Sequence, residues 1–128
     1  MEHKSRVIHN GPPEWVLAER LDMPLLQDLA DEIREINKAN GWEQPGLAMW
    51  ATNPNGILAK HALVTTEVAE ATEAVRFNDL DNHNEELADI VIRVLELAGG
   101  LCDDFDKVVR DKLEKNKGRG FKHGGKRV

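Results

Sequence analysis

Apolar residues recur at intervals of three or four along most of this chain, which predicts helices. A first clear helix is expected from Pro24 to about Asn40, with Asn40-Gly41 as its C-terminal stop. Its apolar positions step by four, four and three residues: Leu25, Leu29, Ile33 and Ile36. Pro13 could begin a shorter helix through Leu21, because proline suits the first helical position.

Two longer helices are predicted in the centre of the chain. One should run from about Ile57 to Asn78, and the other from about Asn84 to Ala98, with residues 79–83 as the turn between them. Gly99-Gly100 is expected to end the second helix. The preceding segment, 43–56, holds two prolines and two glycines and is expected to be a loop.

The last predicted helix begins near Asp103 or Asp104, because aspartate is a favourable N-cap residue, and ends before Gly118. No strand-like alternation is visible, and the chain has no tyrosine and only three phenylalanines. We therefore expect an all-α bundle of four to five helices in a single domain. Residues 1–23 would form an N-terminal extension, 24–117 the helical core and 118–128 a basic, glycine-rich tail.

Two acidic pairs at helical spacing are the main candidates for chemistry. Glu67 and Glu70 lie three residues apart on one predicted helix, and Glu86 and Asp89 do so on the next. Glu67 and Glu70 border the apolar stripe of their helix, where an unpaired carboxylate would be costly to bury. A divalent cation would resolve that cost, most naturally Mg²⁺, with Mn²⁺ as a substitute.

Each pair taken alone could simply belong to a solvent-exposed helix face with no ligand, since exposed acids three residues apart are common there. Arg93, four residues after Asp89, is expected to pair with Asp89, and a contact with a phosphate is the alternative. With the turn at residues 79–83, the two acidic pairs would also be offset by roughly one to two helical turns along the hairpin.

The charge distribution is strongly uneven. Residues 107–128 carry nine lysines and arginines against two acids, a net charge of +7, whereas residues 1–106 carry −13. A basic end beside an acidic body suits a metal–polyanion complex, with basic groups on the phosphates. The alternative is a solvated tail that aids solubility or touches nucleic acid weakly.

The apolar runs, the N-terminal residues and the cysteine content indicate the cellular compartment to expect. No run of about 18 apolar residues predicts a transmembrane helix, and the N-terminus leads into no apolar stretch typical of a signal peptide. Cys102 is the only cysteine, which excludes an intramolecular disulfide and fits a reducing compartment. We therefore expect a cytoplasmic protein with no membrane partner.

Three stretches together resemble the MazG-like all-α nucleoside triphosphate pyrophosphohydrolases. They are an ExxE motif, Glu67-Val-Ala-Glu70-Ala71, then an ExxD motif within residues 85–91, and the ending Lys115 to Lys126. The resemblance covers roughly residues 24–126. It implies a helical bundle that forms homodimers or homotetramers and cleaves the α–β phosphoanhydride of a nucleotide, giving a monophosphate and pyrophosphate.

The same resemblance implies roles for individual residues. The four motif acids would hold Mg²⁺: Glu67, Glu70, Glu86 and Asp89. Residues near the C-terminus would contact phosphates: Lys112, Lys115, Asn116, Arg119 and Lys122. A water molecule would be the nucleophile, and Glu67 or Glu70 would accept its proton as the catalytic base. Trp42 and Trp50 could stack on the nucleobase of the substrate, although packing is the more frequent role of such tryptophans.

Other functions stay open from the sequence. A phosphoribosyl-ATP pyrophosphohydrolase would share the fold and the acidic helices. A non-catalytic nucleotide-binding or interaction protein could use the same scaffold. Nucleic-acid binding through the basic tail is less expected, and it would require an affinity that falls steeply with salt. The nucleotide substrate is not identified by these residues.

Overall fold

The computed structural model describes residues 25–119. They form five helices and no strand, so the all-α prediction is confirmed for this part of the chain. The helices are α1 (Leu25–Ala39), α2 (Leu47–Thr52), α3 (Pro54–Arg76), α4 (Leu80–Leu101) and α5 (Phe105–Lys117). The helix expected from Pro13 to Leu21 and the tail from residue 120, including Lys122, lie outside the described residues.

The two longest helices, α3 and α4, pack along each other as an antiparallel hairpin. Their connection is only three residues long, and Asn78 turns the chain with a positive φ of 54°. Asparagine tolerates this left-handed conformation better than most residues. The Asp79 carboxylate then accepts a hydrogen bond from the backbone N–H of Asn82 at 3.0 Å and caps α4.

This early cap makes the predicted turn at residues 79–83 wrong, because α4 already begins at Leu80. The correction changes the register of the acidic motifs. Asn78 is eight residues from both Glu70 and Glu86, and eleven residues from both Glu67 and Asp89. The two acidic pairs are therefore level along the hairpin, and the offset expected from the sequence does not arise.

Helix α1 packs against α4 through a small apolar core. Ala30, Ile33 and Leu95 are its buried members, with Leu26 and Phe105 packed against them. The predicted stop at Gly99-Gly100 is also wrong, since α4 continues to Leu101. A side chain at Gly100 would collide with the carbonyl oxygen of Pro45, so glycine is needed there for close approach rather than for helix termination.

The segment 43–56 is not wholly a loop, as the sequence had suggested. It contains α2, and Pro54 occupies the first turn of α3, a position where its missing N–H costs nothing. The side chain of Met49 in α2 is buried, and it lies so close to Gly56 that a β-carbon at Gly56 would be 2.8 Å from the Met49 sulfur. This contact folds α2 back onto the start of α3.

Three reciprocal hydrogen bonds join the starts of α1 and α5. The Asp106 carboxylate accepts from the backbone N–H groups of Leu26 and Gln27, at 3.0 and 2.9 Å. The Gln27 side-chain oxygen accepts from the backbone N–H of Phe105 at 2.9 Å. Burial opposes the charge of Asp106, but the two N–H donors hold the pKa of this carboxyl below its usual range.

Part of the apolar stripe predicted to lie in the core is exposed in a single chain. Ile57 and Ala71 of α3 are buried, as expected, whereas Val68 and Val75 are exposed. On α4, Leu87 and Val91 are exposed too, although the sequence pattern placed them in the core stripe. The hairpin therefore presents an apolar face that α1 and α2 do not cover.

Among residues 25–119, no helix is both long enough and apolar enough to cross a lipid bilayer.

Replacing Asp106 by alanine should lower the free energy of unfolding by about 1–2 kcal/mol, because two N–H groups at the start of α1 lose their acceptor. The matched control is Asp111→Ala on the same helix, which removes only an exposed ion pair with Lys107 and should cost less than about 1 kcal/mol. Urea denaturation followed by circular dichroism measures both. Equal losses in the two variants would contradict the capping role.

Candidate metal centre

Three carboxylates converge midway along the α3–α4 hairpin. Glu67, Glu70 and Glu86 each offer an oxygen, and these three oxygens all lie within 4.8 Å of one another. Glu67 and Glu70 share one face of α3 because they are one helical turn apart, and Glu86 faces them because the short turn at Asn78 sets the register. The structure thus brings together three of the four acids singled out in the sequence.

The three acids differ in burial. Glu67 is buried, with 8% of its surface exposed, as its place beside the apolar stripe of α3 had indicated. Glu86 is half-buried. Glu70 is exposed, so the prediction that it shares the buried side of α3 with Glu67 is wrong. Oxygen Oε2 of Glu86 is shielded from solvent and has no hydrogen-bond partner. The cluster therefore has a closed inner side at Glu67 and an open outer side at Glu70.

The crowding of these acids changes the protonation of Glu86. Burial, the sharing of a proton with the Glu70 and Glu67 carboxyls, and repulsion from Glu70 and Asp89 together raise the pKa of Glu86 from 4.5 to about 7. Three carboxylates this close cannot all carry their charge without a compensating cation. In its absence, the protein keeps a proton on Glu86 near neutral pH.

Arg93 supplies part of the positive charge. Its guanidinium lies 3.4 Å from Oε1 of Glu67, across the hairpin. The sequence had suggested that Arg93 pairs with Asp89 on its own helix, but the structure pairs it with Glu67 instead. A distance of 3.4 Å is long for a charge-assisted hydrogen bond, so Arg93 holds Glu67 only loosely.

Asp89 stands apart from the three-carboxylate cluster. It lies one turn beyond Glu86 on α4 and is exposed, and it influences the cluster through its charge, which contributes to the raised pKa of Glu86. Its role as a fourth ligand stays a prediction. Its distance from Asn78 along the chain makes it level with Glu67 along the hairpin.

The donor set fits a hard divalent cation. All three groups are carboxylates, the ligand type that Mg²⁺ and Mn²⁺ take from proteins. The partnerless Oε2 of Glu86 is the observation on this structure that favours a cation, because a shielded oxygen without a donor is costly unless some positive group approaches it.

The predicted phosphate contacts lie at the C-terminal end of α5. Lys112, Lys115, Asn116 and Arg119 are all exposed there. The main packing partner of α5 is α1, whereas the acidic cluster lies on α3 and α4. Asn116 lines a surface cavity of about 650 Å³ together with Arg110 and Lys117. Of the predicted contacts, only Asn116 lines this cavity, and Arg119 lies just beyond the end of α5. The part of all four residues in phosphate binding stays a prediction.

The two tryptophans named as base contacts are both mostly exposed, Trp42 by 66% and Trp50 by 61%. Trp42 lines a surface cavity of about 600 Å³ beside α1. It also lines a smaller cavity of about 280 Å³ that contains Arg93. Because Arg93 also contacts Glu67, this smaller cavity brings Trp42 near the acidic cluster. Trp50 lies on the surface of α2.

A buried polar group two turns from the acids was missed in the sequence. Glu96 is only 2% exposed, and it lies between Lys60 of α3 and Asn37 of α1. The signal was available: Lys60 precedes Glu67 by seven residues and Glu96 follows Asp89 by seven, so both share the helix faces of the motif acids. Glu96 also interrupts an apolar run between Leu95 and Leu97.

The raised pKa of Glu86 predicts an unusual pH dependence. The folded protein binds this proton more tightly than an unfolded chain, whose pKa is near 4.5, so the metal-free protein loses stability as the pH rises towards about 7. Glu86→Gln has no carboxyl to titrate at this position, so it should not lose stability in this way as the pH rises. The variant should melt at a higher temperature than wild type at pH 8 in the presence of a chelator, and at a similar temperature at pH 5.

Glu85→Gln, an exposed neighbour on α4, is the control and should not shift the melting temperature in this way. Adding Mg²⁺ should stabilise the wild type more at pH 8 than at pH 6, because the cation must displace the proton. The raised pKa of Glu86 would be contradicted by one result: in chelator, the melting temperatures of wild type and Glu86→Gln both rise from pH 5 to pH 8, and by the same amount.

Comparison with known proteins agrees with this arrangement. Neither a curated protein nor a solved structure matches the chain. The profile of the MazG nucleotide pyrophosphohydrolase domain matches residues 57–122, which is more than half of the chain and includes the whole acidic cluster, α4 and α5. The chain therefore belongs to the MazG nucleotide pyrophosphohydrolase family.

Proposed function

We propose that this protein is a Mg²⁺-dependent nucleoside triphosphate pyrophosphohydrolase that releases a nucleoside monophosphate and pyrophosphate. The observation that carries the proposal is the three-carboxylate cluster of Glu67, Glu70 and Glu86, because it lies within the part of the chain that matches the MazG domain. Canonical ribonucleotides and deoxyribonucleotides are the proposed substrate class, and Mn²⁺ is a proposed substitute for Mg²⁺.

The metal ligands would be Glu67, Glu70, Glu86 and Asp89. A divalent cation bound there would offset the phosphate charge and polarise the attacked phosphoryl group. The proton held on Glu86 would leave to solvent at the open side of the cluster.

Hydrolysis needs one proton acceptor. A water oxygen attacks the phosphorus, the bond to the bridging oxygen breaks, and pyrophosphate leaves. The proton of the water goes to a carboxylate, and we favour Glu70 over Glu67 because Glu70 is exposed whereas Glu67 is buried beside Arg93. No covalent intermediate is required.

The basic residues on α5 would steady the leaving group. Lys112, Lys115 and Arg119 present cationic groups on one exposed surface, with Asn116 as a polar contact, and Lys122 follows in the matched region. Because α5 packs mainly against α1, a second chain is the natural way to bring such a surface to the acidic cluster.

Self-association is therefore part of the proposal, as a homodimer or homotetramer. The exposed apolar residues of the α3–α4 hairpin support it: Val68, Val75, Leu87 and Val91. An uncovered apolar face of this kind is typical of a protein–protein interface. A phosphoribosyl-ATP substrate and a non-catalytic nucleotide-binding role are the alternatives, and the turnover assay below separates them.

The decisive experiment is a nucleotide panel with Mg²⁺ in which the monophosphate, diphosphate and pyrophosphate products are resolved. Wild type should release monophosphate and pyrophosphate. Glu67→Gln should lose more than about 100-fold in kcat/KM, because a metal ligand is removed. Glu73→Gln, at an exposed acid on α3 that pairs with Arg76, is the matched control and should retain activity. No turnover of any nucleotide would leave a binding scaffold as the function.

Lys115→Ala tests the basic surface separately. Loss of one phosphate contact should raise KM by roughly tenfold, and it should lower kcat as well if Lys115 faces the leaving pyrophosphate. Lys107→Ala, on the same helix but paired with Asp111 at 2.6 Å, serves as the control. Unchanged kinetics in Lys115→Ala would remove Lys115 from the proposed site.

A further inference from the structure

Four charged side chains form a series of alternating sign within the α3–α4 hairpin. Lys60 of α3 lies 3.2 Å from Oε1 of Glu96 on α4. Arg93 of α4 lies 3.4 Å from Oε1 of Glu67 on α3. Lys60, Glu96 and Arg93 also line one cavity of about 280 Å³, so the two ion pairs are neighbours. The series therefore ends at Glu67, the buried acid of the candidate metal centre.

The Glu96 carboxylate is the most buried charge of this series. Only 2% of its surface is exposed, against 8% for Glu67. Its Oε2 accepts a hydrogen bond from the Asn37 side-chain amide at 2.6 Å. Its Oε1 is shielded from solvent and receives no hydrogen bond, so the nearby Lys60 ammonium stabilises it by charge rather than by a well-aligned donor. A buried carboxylate depends strongly on such a counter-charge.

Arg93 lies between two carboxylates that can compete for it. Glu96 follows it by three residues on α4, a spacing that places both side chains on one face of the helix. Glu67 faces it from α3, but the contact of 3.4 Å is long and Arg93 is 37% exposed, so the pair is not tightly fixed. Lys60 offsets the charge of Glu96 and leaves Glu67 as the better partner. Without Lys60, the more buried Glu96 would attract Arg93 more strongly.

We infer that Lys60 is a positioning residue, which keeps Arg93 on Glu67 and thereby lowers the affinity of the acidic cluster for divalent cations. The inference rests on the metal centre of the proposed function and names what sets its affinity. A guanidinium beside Glu67 repels a cation and competes for a ligand oxygen. Because Mg²⁺ sites of this kind take further ligands from substrate phosphates, a weakened centre favours metal that arrives with the nucleotide.

Binding of Mn²⁺ to the nucleotide-free protein tests the inference without turnover. Electron paramagnetic resonance measures free Mn²⁺ near neutral pH and gives the dissociation constant. Lys60→Met removes the ammonium but keeps a side chain of similar length. It should bind Mn²⁺ about tenfold more tightly than wild type, because Arg93 turns to Glu96. Lys60→Arg keeps the charge and should retain the wild-type constant. A merely structural role of Lys60 predicts weaker binding in Lys60→Met.

A double-mutant cycle separates an action through Arg93 from the long-range field of one lysine. Arg93→Met should itself bind Mn²⁺ about tenfold more tightly. Adding Lys60→Met should give no further gain, since no guanidinium remains to be moved. Combining Lys60→Met with Glu96→Gln should restore the wild-type constant, because the competing carboxylate is gone. Lys107→Met removes an exposed ammonium paired with Asp111 on α5 and is the control for net charge.

Thermal melts establish that each variant is folded. Lys60→Gln, whose amide can still donate a hydrogen bond to Glu96, replaces Lys60→Met if the latter does not fold, and the same tightening is expected.

Unchanged or weaker Mn²⁺ binding in the folded Lys60 variant overturns the inference, and so does a gain that persists undiminished in the Arg93→Met background. Either result leaves the proposed function intact if wild type still releases pyrophosphate from triphosphates. Absence of Mn²⁺ binding by wild type also overturns the inference. Conversely, a gain that disappears with Arg93 supports it even in a protein without turnover, and the enzymatic function alone is then removed.

Discussion

The three-residue connection between α3 and α4 is the constraint on which the acidic cluster depends. Asn78 adopts a left-handed conformation and Asp79 caps the next helix, so the chain reverses direction within one short turn. Every residue on α3 is then matched to one on α4 at equal distance from Asn78. This is why Glu70 lies level with Glu86 and why Lys60 lies level with Glu96. One added residue in the turn would shift both pairs by about 100° of helix rotation.

The hairpin brings acidic side chains close together, and their burial and mutual repulsion lower the stability of the fold unless other contacts offset them. Glu67 and Glu96 are buried carboxylates, and each is partly balanced by a cation from the opposite helix, Arg93 and Lys60 respectively. Glu86 keeps its proton to near neutral pH because burial and the neighbouring carboxyl groups raise its pKa to about 7. Such a strained arrangement is typical of a functional site rather than of a structural one, since an apolar replacement would be more stable.

The helices around the hairpin serve to position it. Helix α1 contacts α4 closely because Gly99 and Gly100 present no side chains, and this approach brings Asn37 and Trp42 to the cavity beside Glu96. The side chains of Asp106 and Gln27 join α1 to α5 by accepting three hydrogen bonds from backbone N–H groups. The basic surface of α5 is thereby fixed relative to α1, while the uncovered apolar residues of the hairpin leave room for a second chain.

The sequence by itself determined the helical class, most helix positions and the identity of the three converging acids, because helical periodicity and an i, i+3 spacing are local properties. It also placed Glu67 correctly on the buried side of α3. Tertiary structure decided the rest. The register of the hairpin depends on the helix cap at Asp79. Glycine is needed at position 100 because the backbone of Pro45 approaches closely there. The partner of Arg93 is Glu67, which lies on another helix. The Lys60–Glu96–Asn37 cluster joins residues up to 59 positions apart. The seven-residue spacing of Lys60 and Glu96 from the motif acids indicates which helix faces they share, but it does not report their contact with Asn37 on α1.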